Sequence, residues 1–362
     1  MTRPTAIDVF GGCGGSGIGF RRVGFDILAA IENDPYAAKS YERNIGVEPI
    51  VRDVCDVTGR ELLKETGLAR GELTALIGCP PCQGFTSHRR DTARGRDPRN
   101  VLLGEYVRLV RALRPQFVVF ENVPGLVKGP SRWRFEIAVR ELRALGYELT
   151  YEVVQSADYG VPQFRKRLLV IGASEYVPVL PEPTHGDPES KSVRRGERKR
   201  WVTVRDAIGG LRRLRSGEAD PKDALHVARN HSDLNLRRLR EIPHDGGSRD
   251  SLPAELVLAC HKDHEGHYDV YGRMSWDRPA PTLTSGCTNI TRGRFAHPVQ
   301  DRAITVREAL LLQGFPKYAW LAGGIEEQSL QVGNAVPPPL AAAAARAVRA
   351  ALRAEARLAN AA

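Results

Sequence analysis

The first half of this chain alternates short β-rich runs with helix-patterned segments, and that alternation restricts the fold more than any other feature. Strand-like runs stand at 6–10 (AIDVF), 26–32 (DILAAIE), 48–54 (EPIVRDV), 73–78 (LTALIG) and 116–122 (QFVVFEN). Between them, 101–114 reads as a helix with Leu102, Tyr106, Leu109, Val110 and Leu113 on one face and Pro115 as its stop. A second helix is expected over 131–145, ended by Gly146. This order predicts an α/β, doubly wound sheet of parallel strands with helices on both faces. YELTYEVVQS and RLLVIGA then follow each other with little helix between, so an antiparallel pair is expected to close one edge and make the sheet mixed. Near residue 175 the pattern changes. Through about residue 270 the chain is rich in Pro, Gly, Arg and His with few long apolar runs, which marks a smaller, irregular second domain. Helical pattern returns at 305–313, and 340–359, an Ala, Leu and Arg stretch, is a helix by propensity.

Charge narrows the partners. Lys and Arg number 53 against 43 Asp and Glu, a net charge of +10. The surplus is concentrated in HRRDTARGRDPR (88–99) and KSVRRGERKR (191–200). Either stretch alone reads as a solvated loop; together they point to a polyanion such as nucleic acid. No apolar run reaches the roughly 18 residues that span a bilayer. MTRPTAIDVF has no apolar signal region, and six cysteines in 362 residues do not make a disulfide framework, so a reduced cytoplasmic setting is expected.

The segment DVFGGCGGSGIGF (8–20) follows the first strand and opens a helical pattern. Its Gly12-x-Gly14-x-x-Gly17 spacing lets backbone approach a nucleotide closely, and Glu32, about 20 residues on, is placed to accept from ribose hydroxyls. The spacing alone does not choose between NAD, FAD and S-adenosylmethionine. Asp53 offers either an acceptor for an adenine amino group or a helix cap.

GCPPCQGFT (78–86) carries two cysteines. A zinc site needs a second ligand pair, for which the stretch Cys260, His261, His264 and His267 is the available source. A redox pair fits poorly after the fourth strand of a large sheet. A single nucleophilic thiol fits better: Cys79 completes an apolar strand and is expected to point into the core, whereas Cys82 lies past the rigid Pro80-Pro81, outside the strand's carboxyl end where such sheets bind ligands.

PPCQGFT resembles the catalytic motif of the DNA (cytosine-5)-methyltransferases, and further segments resemble that family's other motifs in order. DVFGGCGGSGIGF resembles its cofactor loop, IENDPYA its ribose-binding carboxylate, RDVCDV its adenine contact and FENVPGL its catalytic glutamate motif. VPQFRKRLLVIG, RPAPTLTSGC, QGFPKYAW and QVGNAVPPPLA resemble its later motifs, the last opening the closing helix. The resemblance runs from about 6 to 345 and leaves 175–260 unmatched, the place of the family's variable target-recognition region.

The resemblance implies a Rossmann-like, S-adenosylmethionine-dependent fold. It divides the chain into a catalytic domain (1–176), a target-recognition domain (177–322) and a returning helical segment (323–357). It implies that Cys82 adds covalently to carbon 6 of an extruded cytosine, that Glu121 acts at ring nitrogen 3, that Arg165 meets the carbonyl oxygen at ring position 2, and that Arg167 supports backbone or phosphate contacts. It places Phe10, Gly12, Gly14, Glu32, Asp53, Pro80, Asn334 and Val336 at the S-adenosylmethionine site, and Gln83, Ser87, Arg89, Arg90, Arg94, Arg96 and Gln163 at DNA. Residues 84–99 then suit a loop closing over duplex DNA, with Gly84 and Gly95 as hinges and Arg99 and Arg108 also meeting phosphates. No metal is implied. The implied protein is a monomer at the nucleoid, with a cognate restriction endonuclease as its natural counterpart. Rival readings are a nicotinamide oxidoreductase, a transfer RNA methyltransferase and a non-catalytic DNA-binding regulator.

Overall fold

The computed structural model describes residues 3–81, 102–129, 132–175, 177–258 and 269–359. They form two compact units. The first comprises 1–156, 166–183 and 336–362; the second comprises 157–165 and 184–335.

The first unit is built on a seven-stranded sheet: β1 (Thr5–Val9), β2 (Asp26–Glu32), β3 (Ile50–Val51), β4 (Ala75–Gly78), β5 (Phe117–Asn122), β6 (Glu148–Gln155) and β7 (Lys166–Ala173). Their spatial order is β3-β2-β1-β4-β5-β7-β6. The first five are parallel, and β7 runs antiparallel between β5 and β6. The connecting helices are α1 (Gly15–Arg22), α2 (Pro35–Ile45), α3 (Gly59–Thr66), α4 (Leu102–Leu113), the single turn α5 (Gly125–Lys128) and α6 (Arg132–Ala144). Strands β4 and β5 are buried along their whole length, which is why ALIG and FVVF show no alternation.

Local chemistry sets the helix ends. Asp34 caps α2 by accepting from the Tyr36 and Ala37 amides, with Pro35 at the first position. Gly46 and Gly146, at φ of 75° and 89°, follow α2 and α6 in the left-handed region. Helix α4 buries Leu103, Tyr106, Leu109, Val110 and Leu113, with Leu102 partly buried against the same core. Its Tyr106 hydroxyl donates to the Leu76 carbonyl at 2.8 Å, bolting helix to β4. The expected third strand shrinks to two residues because Asp53 leaves the ladder to cap the turn Val54–Asp56, accepting from the Cys55 amide at 2.9 Å.

The closing helix, Pro338–Ala359, packs on α1. A Cβ on Gly19 would sit 2.5 Å from the Ala341 Cβ and 2.6 Å from the Pro338 carbonyl, so only glycine permits this approach.

Among the described residues, the second unit has little regular structure: two short two-stranded sheets and short helices, the longest being Asp233–Glu241 and Ile325–Asn334. Buried guanidinium groups substitute for ladders there. Arg273, fully buried, donates to the carbonyls of Leu239, Ile242, His297 and Gln300. Arg302, also fully buried, forks onto Glu308 at 2.7 and 2.8 Å. Irregular backbone in a core must find donors for its carbonyls, and these arginines supply them.

The units differ in extent from the sequence-drawn domains. Residues 157–165 and 323–335 belong to the second unit and 177–183 to the first. For 157–165 the physical reason is side-chain anchoring: buried Gln163 and Arg165 bind groups at 283, 312, 313 and 333, all in the second unit.

Candidate active site

In the first unit the strand order reverses between β1 and β4, and ligands of such sheets sit at the carboxyl ends beside that reversal. Five of the sequence-predicted segments end there: Phe10–Gly14 after β1, Glu32 closing β2, Asp53 after β3, Cys79-Pro80 after β4 and Glu121 near the end of β5.

The glycine-rich turn is held by its neighbours. Phe10 stands at φ 63°, a left-handed conformation that disfavours an aromatic residue by about 1–3 kcal/mol. The Gly11 amide, donating to the Ile31 carbonyl at 3.0 Å, fixes the chain there. Gly12 and Gly14 have φ of 55° and 95°. Among the described residues, a Cβ on Gly12 would meet nothing within 4 Å, so one face of the turn is open to them. The partly buried Glu32 carboxylate accepts from the Gly12 amide at 2.8 Å and the Asp34 amide at 2.9 Å. Burial raises its proton affinity, against the pull of those amides. An open glycine turn flanked by an anchored carboxylate has the chemistry to take a ribose-bearing ligand. Asp53 caps a turn and remains exposed.

Asp8 was not singled out by the sequence. It lies in β1 beneath the turn, fully buried, and accepts from Ser16 Oγ at 2.7 Å and the Tyr41 hydroxyl at 3.2 Å. Burial pushes its carboxyl up to about 7 despite both hydrogen bonds. The available signal was a carboxylate inside an apolar run. Asp8 ties the start of α1 and the body of α2 to β1.

Two groups meet the Glu121 carboxylate. Arg167 Nε lies 2.8 Å from Glu121 Oε1. Glu121 is opposite Leu169 in the β5–β7 ladder, so Arg167, two residues before Leu169, shares its face. The Cys79 thiol donates to Glu121 Oε2 at 3.1 Å. This corrects the expectation that Cys79 points into the core: it is half-buried and turned toward β5. Asn122, also missed, donates its amide to the Pro80 carbonyl at 3.0 Å. A small cavity of about 20 Å³ beside them is lined by Ser16, Phe20, Gly78, Glu121, Val336 and Ala341, which brings predicted Val336 to the same place as Glu121.

The other predicted residues have the following surroundings. Arg165, buried in the second unit, donates to the carbonyls of Leu283 and Gly333, each at 2.8 Å. Gln163, expected at DNA, is fully buried: its amide group donates to Gln313 and its oxygen accepts from the Leu283 amide. Arg108, expected at phosphates, instead donates to Glu105 and to the carbonyls of Val54 and Val57. Asn334 is exposed at the end of its helix in the second unit. Cys82, Gln83, Ser87, Arg89, Arg90, Arg94, Arg96 and Arg99, the hinges Gly84 and Gly95, and the Cys260, His261, His264 and His267 stretch lie outside the described residues.

Among the described residues no group of three or more His, Cys, Asp or Glu is arranged to hold a metal ion, and no helix is long and apolar enough to cross a membrane. Burial pushes the thiols of Cys13 and Cys287 up to about 12, so neither is a thiolate near neutral pH. Desolvation and the neighbouring Asp53 raise that of Cys55 to about 11.

Comparison with known proteins follows the same lines. Residues 5–350 match the model of the C-5 cytosine-specific DNA methylase family. The Type II methylase M.HgiDII of Herpetosiphon aurantiacus is 38% identical over 350 residues, 95% of this chain and 94% of that one. The Type II methyltransferase M1.HphI of Haemophilus parahaemolyticus is 34% identical over 95% of this chain and 86% of its own. Among solved structures, a prophage-encoded protein of E. coli assigned to DNA modification methylation superposes with a TM-score of 0.73 at 23% identity, covering 97% of this chain and 99% of that one. The Dnmt2 methyltransferase of S. pombe does so with 0.61 at 16% identity, covering 95% and 97%. These two likenesses show the fold. The family match over almost the whole chain shows more: the chain belongs to the C-5 cytosine-specific DNA methylases and is a DNA (cytosine-5)-methyltransferase.

Proposed function

We propose that the protein transfers a methyl group from S-adenosylmethionine to carbon 5 of a cytosine flipped out of a specific duplex sequence, through a covalent bond from Cys82 to carbon 6. The observation that carries this reading is the Glu121 carboxylate, held by Arg167 on one oxygen and Cys79 on the other at the carboxyl end of β5. The strand beside it, β4, leads within four residues of its end to Cys82.

Bound S-adenosylmethionine supplies an electrophilic methyl sulfonium; Phe10, Gly12, Glu32 and Val336 are the residues that would hold it. Carbon 5 of cytosine is a poor nucleophile. Addition of the Cys82 thiolate at carbon 6 breaks the 5,6 double bond and leaves the electron pair on carbon 5. A proton shared between Glu121 and ring nitrogen 3 makes the hydrogen bond that offsets the negative charge building there, and it returns to Glu121 when the ring is restored. Arg167 keeps the Glu121 carboxyl oriented toward the ring. Once carbon 5 is methylated, its proton leaves to a base, the double bond reforms and the thiolate departs. A stacked base exposes neither face to this attack, and extruding it costs a few kcal/mol.

In this reading Arg167, beside Glu121, takes the ring-side place first given to Arg165. The second unit reads sequence, and the basic stretches hold phosphates, giving affinity that falls with salt. The Type II names of the relatives favour a cognate restriction endonuclease on the same site. Bisulfite sequencing of DNA from cells making the protein returns the modified site. A duplex carrying 5-fluorocytosine at that site is then expected to trap a covalent adduct through Cys82 in the wild type and none in Cys82→Ser. Absence of an adduct with active wild-type protein sinks the covalent route.

A further inference from the structure

We propose that Cys79 is a positioning residue that holds Oε2 of Glu121 through its thiol and yields that oxygen to the pyrimidine. The inference rests on the reading above that Glu121 faces the ring.

The geometry sets a cation against one oxygen of the carboxylate and a thiol donor on the other. Gly78 is opposite Phe120 in the β4–β5 ladder, and the Cys79 amide reaches the Val9 carbonyl at 3.4 Å, so Cys79 continues β4 one step and stands beside Glu121. Its Sγ is 3.1 Å from Oε2. On the other side Arg167 Nε is 2.8 Å from Oε1. A guanidinium is a permanent cation, so its charge holds Oε1 at ion-pair distance. A thiol is a weak donor. It orients Oε2, yet ring nitrogen 3, joined to that oxygen through a shared proton, displaces it at little cost. A second arginine or lysine there would compete with the ring for the same oxygen. Glu121 is itself buried, with 6% of its surface exposed, so an Oε2 left without a donor would turn away to find one.

The test compares wild type, Cys79→Ala, Cys79→Ser and Glu121→Gln on the 5-fluorocytosine duplex. It follows the rate of adduct formation, and kcat and KM for methyl transfer to the unsubstituted duplex. Loss of one hydrogen bond to a charged group predicts that Cys79→Ala slows adduct formation and kcat by about tenfold. KM for DNA and for S-adenosylmethionine should stay within about twofold, since the thiol is assigned no binding role. Serine keeps a donor, so Cys79→Ser is expected to recover most of the rate, to within about threefold of wild type. In a Glu121→Gln background Cys79→Ala should add almost nothing, as expected of residues acting as a unit. Wild-type rates in Cys79→Ala, equal loss in alanine and serine variants, or full additivity with Glu121→Gln would each overturn the assignment. A wild-type adduct rate in Glu121→Gln overturns the underlying reading instead, and separates the two failures.

Discussion

Asn122 donates its side-chain amide to the carbonyl of Pro80 at 3.0 Å, and both residues are buried. The strand end that presents Glu121 therefore also holds the diproline turn after β4. One short stretch, Glu121-Asn122, orients the carboxylate and braces the segment that precedes Cys82. The Val123 amide closes the arrangement by donating back to Asn122 Oδ1 at 2.9 Å.

Replacing Asn122 with alanine leaves the Pro80 carbonyl without this donor. The expected loss of stability is about 1–3 kcal/mol, the scale for a buried group left unpaired. Thermal unfolding reads the stability, and the 5-fluorocytosine adduct rate, expected to fall well below wild type, reads the turn. An unchanged adduct rate would remove Asn122 from the account of Cys82 delivery.

Arg165 and Arg167 should fail differently. Arg165→Gln strips two backbone carbonyls of their donor inside the second unit, so it is expected to destabilise by several kcal/mol, near the total for two buried groups. Arg167→Gln removes the cation beside the carboxylate proposed to act at the ring but keeps an amide donor there, so it is expected to lower kcat more than stability. Denaturant unfolding paired with kcat separates them; the reverse pattern would restore the ring contact to Arg165.

Gly19→Val forces a side chain into the Pro338 carbonyl and the Ala341 Cβ, both under 3.0 Å from an added Cβ. Overpacking of this kind costs about 1–3 kcal/mol. The expected sign is a lower unfolding midpoint together with looser protection of the closing helix in hydrogen exchange. Unchanged exchange there would mean the helix packs less tightly on α1.

Acid should weaken the second unit in two steps. Burial, with help from Arg302 and Arg273 and against Glu308, pushes His297 down to about 3 from 6.5. Its contribution is present above pH 6.5 and is lost as pH falls toward 3, because the unfolded chain takes the proton first. Burial alone would raise Glu308; the Arg302 fork overrides it and holds the carboxyl at about 2, below its ordinary 4.5. That contribution is lost as pH falls from 4.5 through 2. Asp8 acts oppositely in the first unit: held near 7 against an ordinary 3.8, it favours the fold below pH 3.8 and loses that advantage as pH rises to 7. His297→Gln is expected to flatten the unfolding midpoint between pH 6.5 and 4.5; an unaltered slope would show that His297 does not carry it.

Much of this protein could be read from its sequence because the deciding interactions are local. The apolar run DILAAIE became β2 with the bounds read from it, since a buried strand must be apolar along its length. Gly146 ended its helix and the glycines at 12 and 14 adopted positive φ, since each outcome depends on one residue's own backbone. Glu121 could be named from its motif. Tertiary structure alone decided which partners the buried polar groups take. Cys79 turned to a carboxylate 42 residues away, Arg165 to carbonyls 118 and 168 residues away, and Gln163 to a side chain 150 residues away. Arg108 went to carbonyls more than 50 residues back rather than outward. Spacing along a chain reports periodicity and backbone freedom. It carries no record of which distant carbonyl will lie within 3 Å of a guanidinium once the sheet has closed, and a buried donor must take the acceptor it meets there.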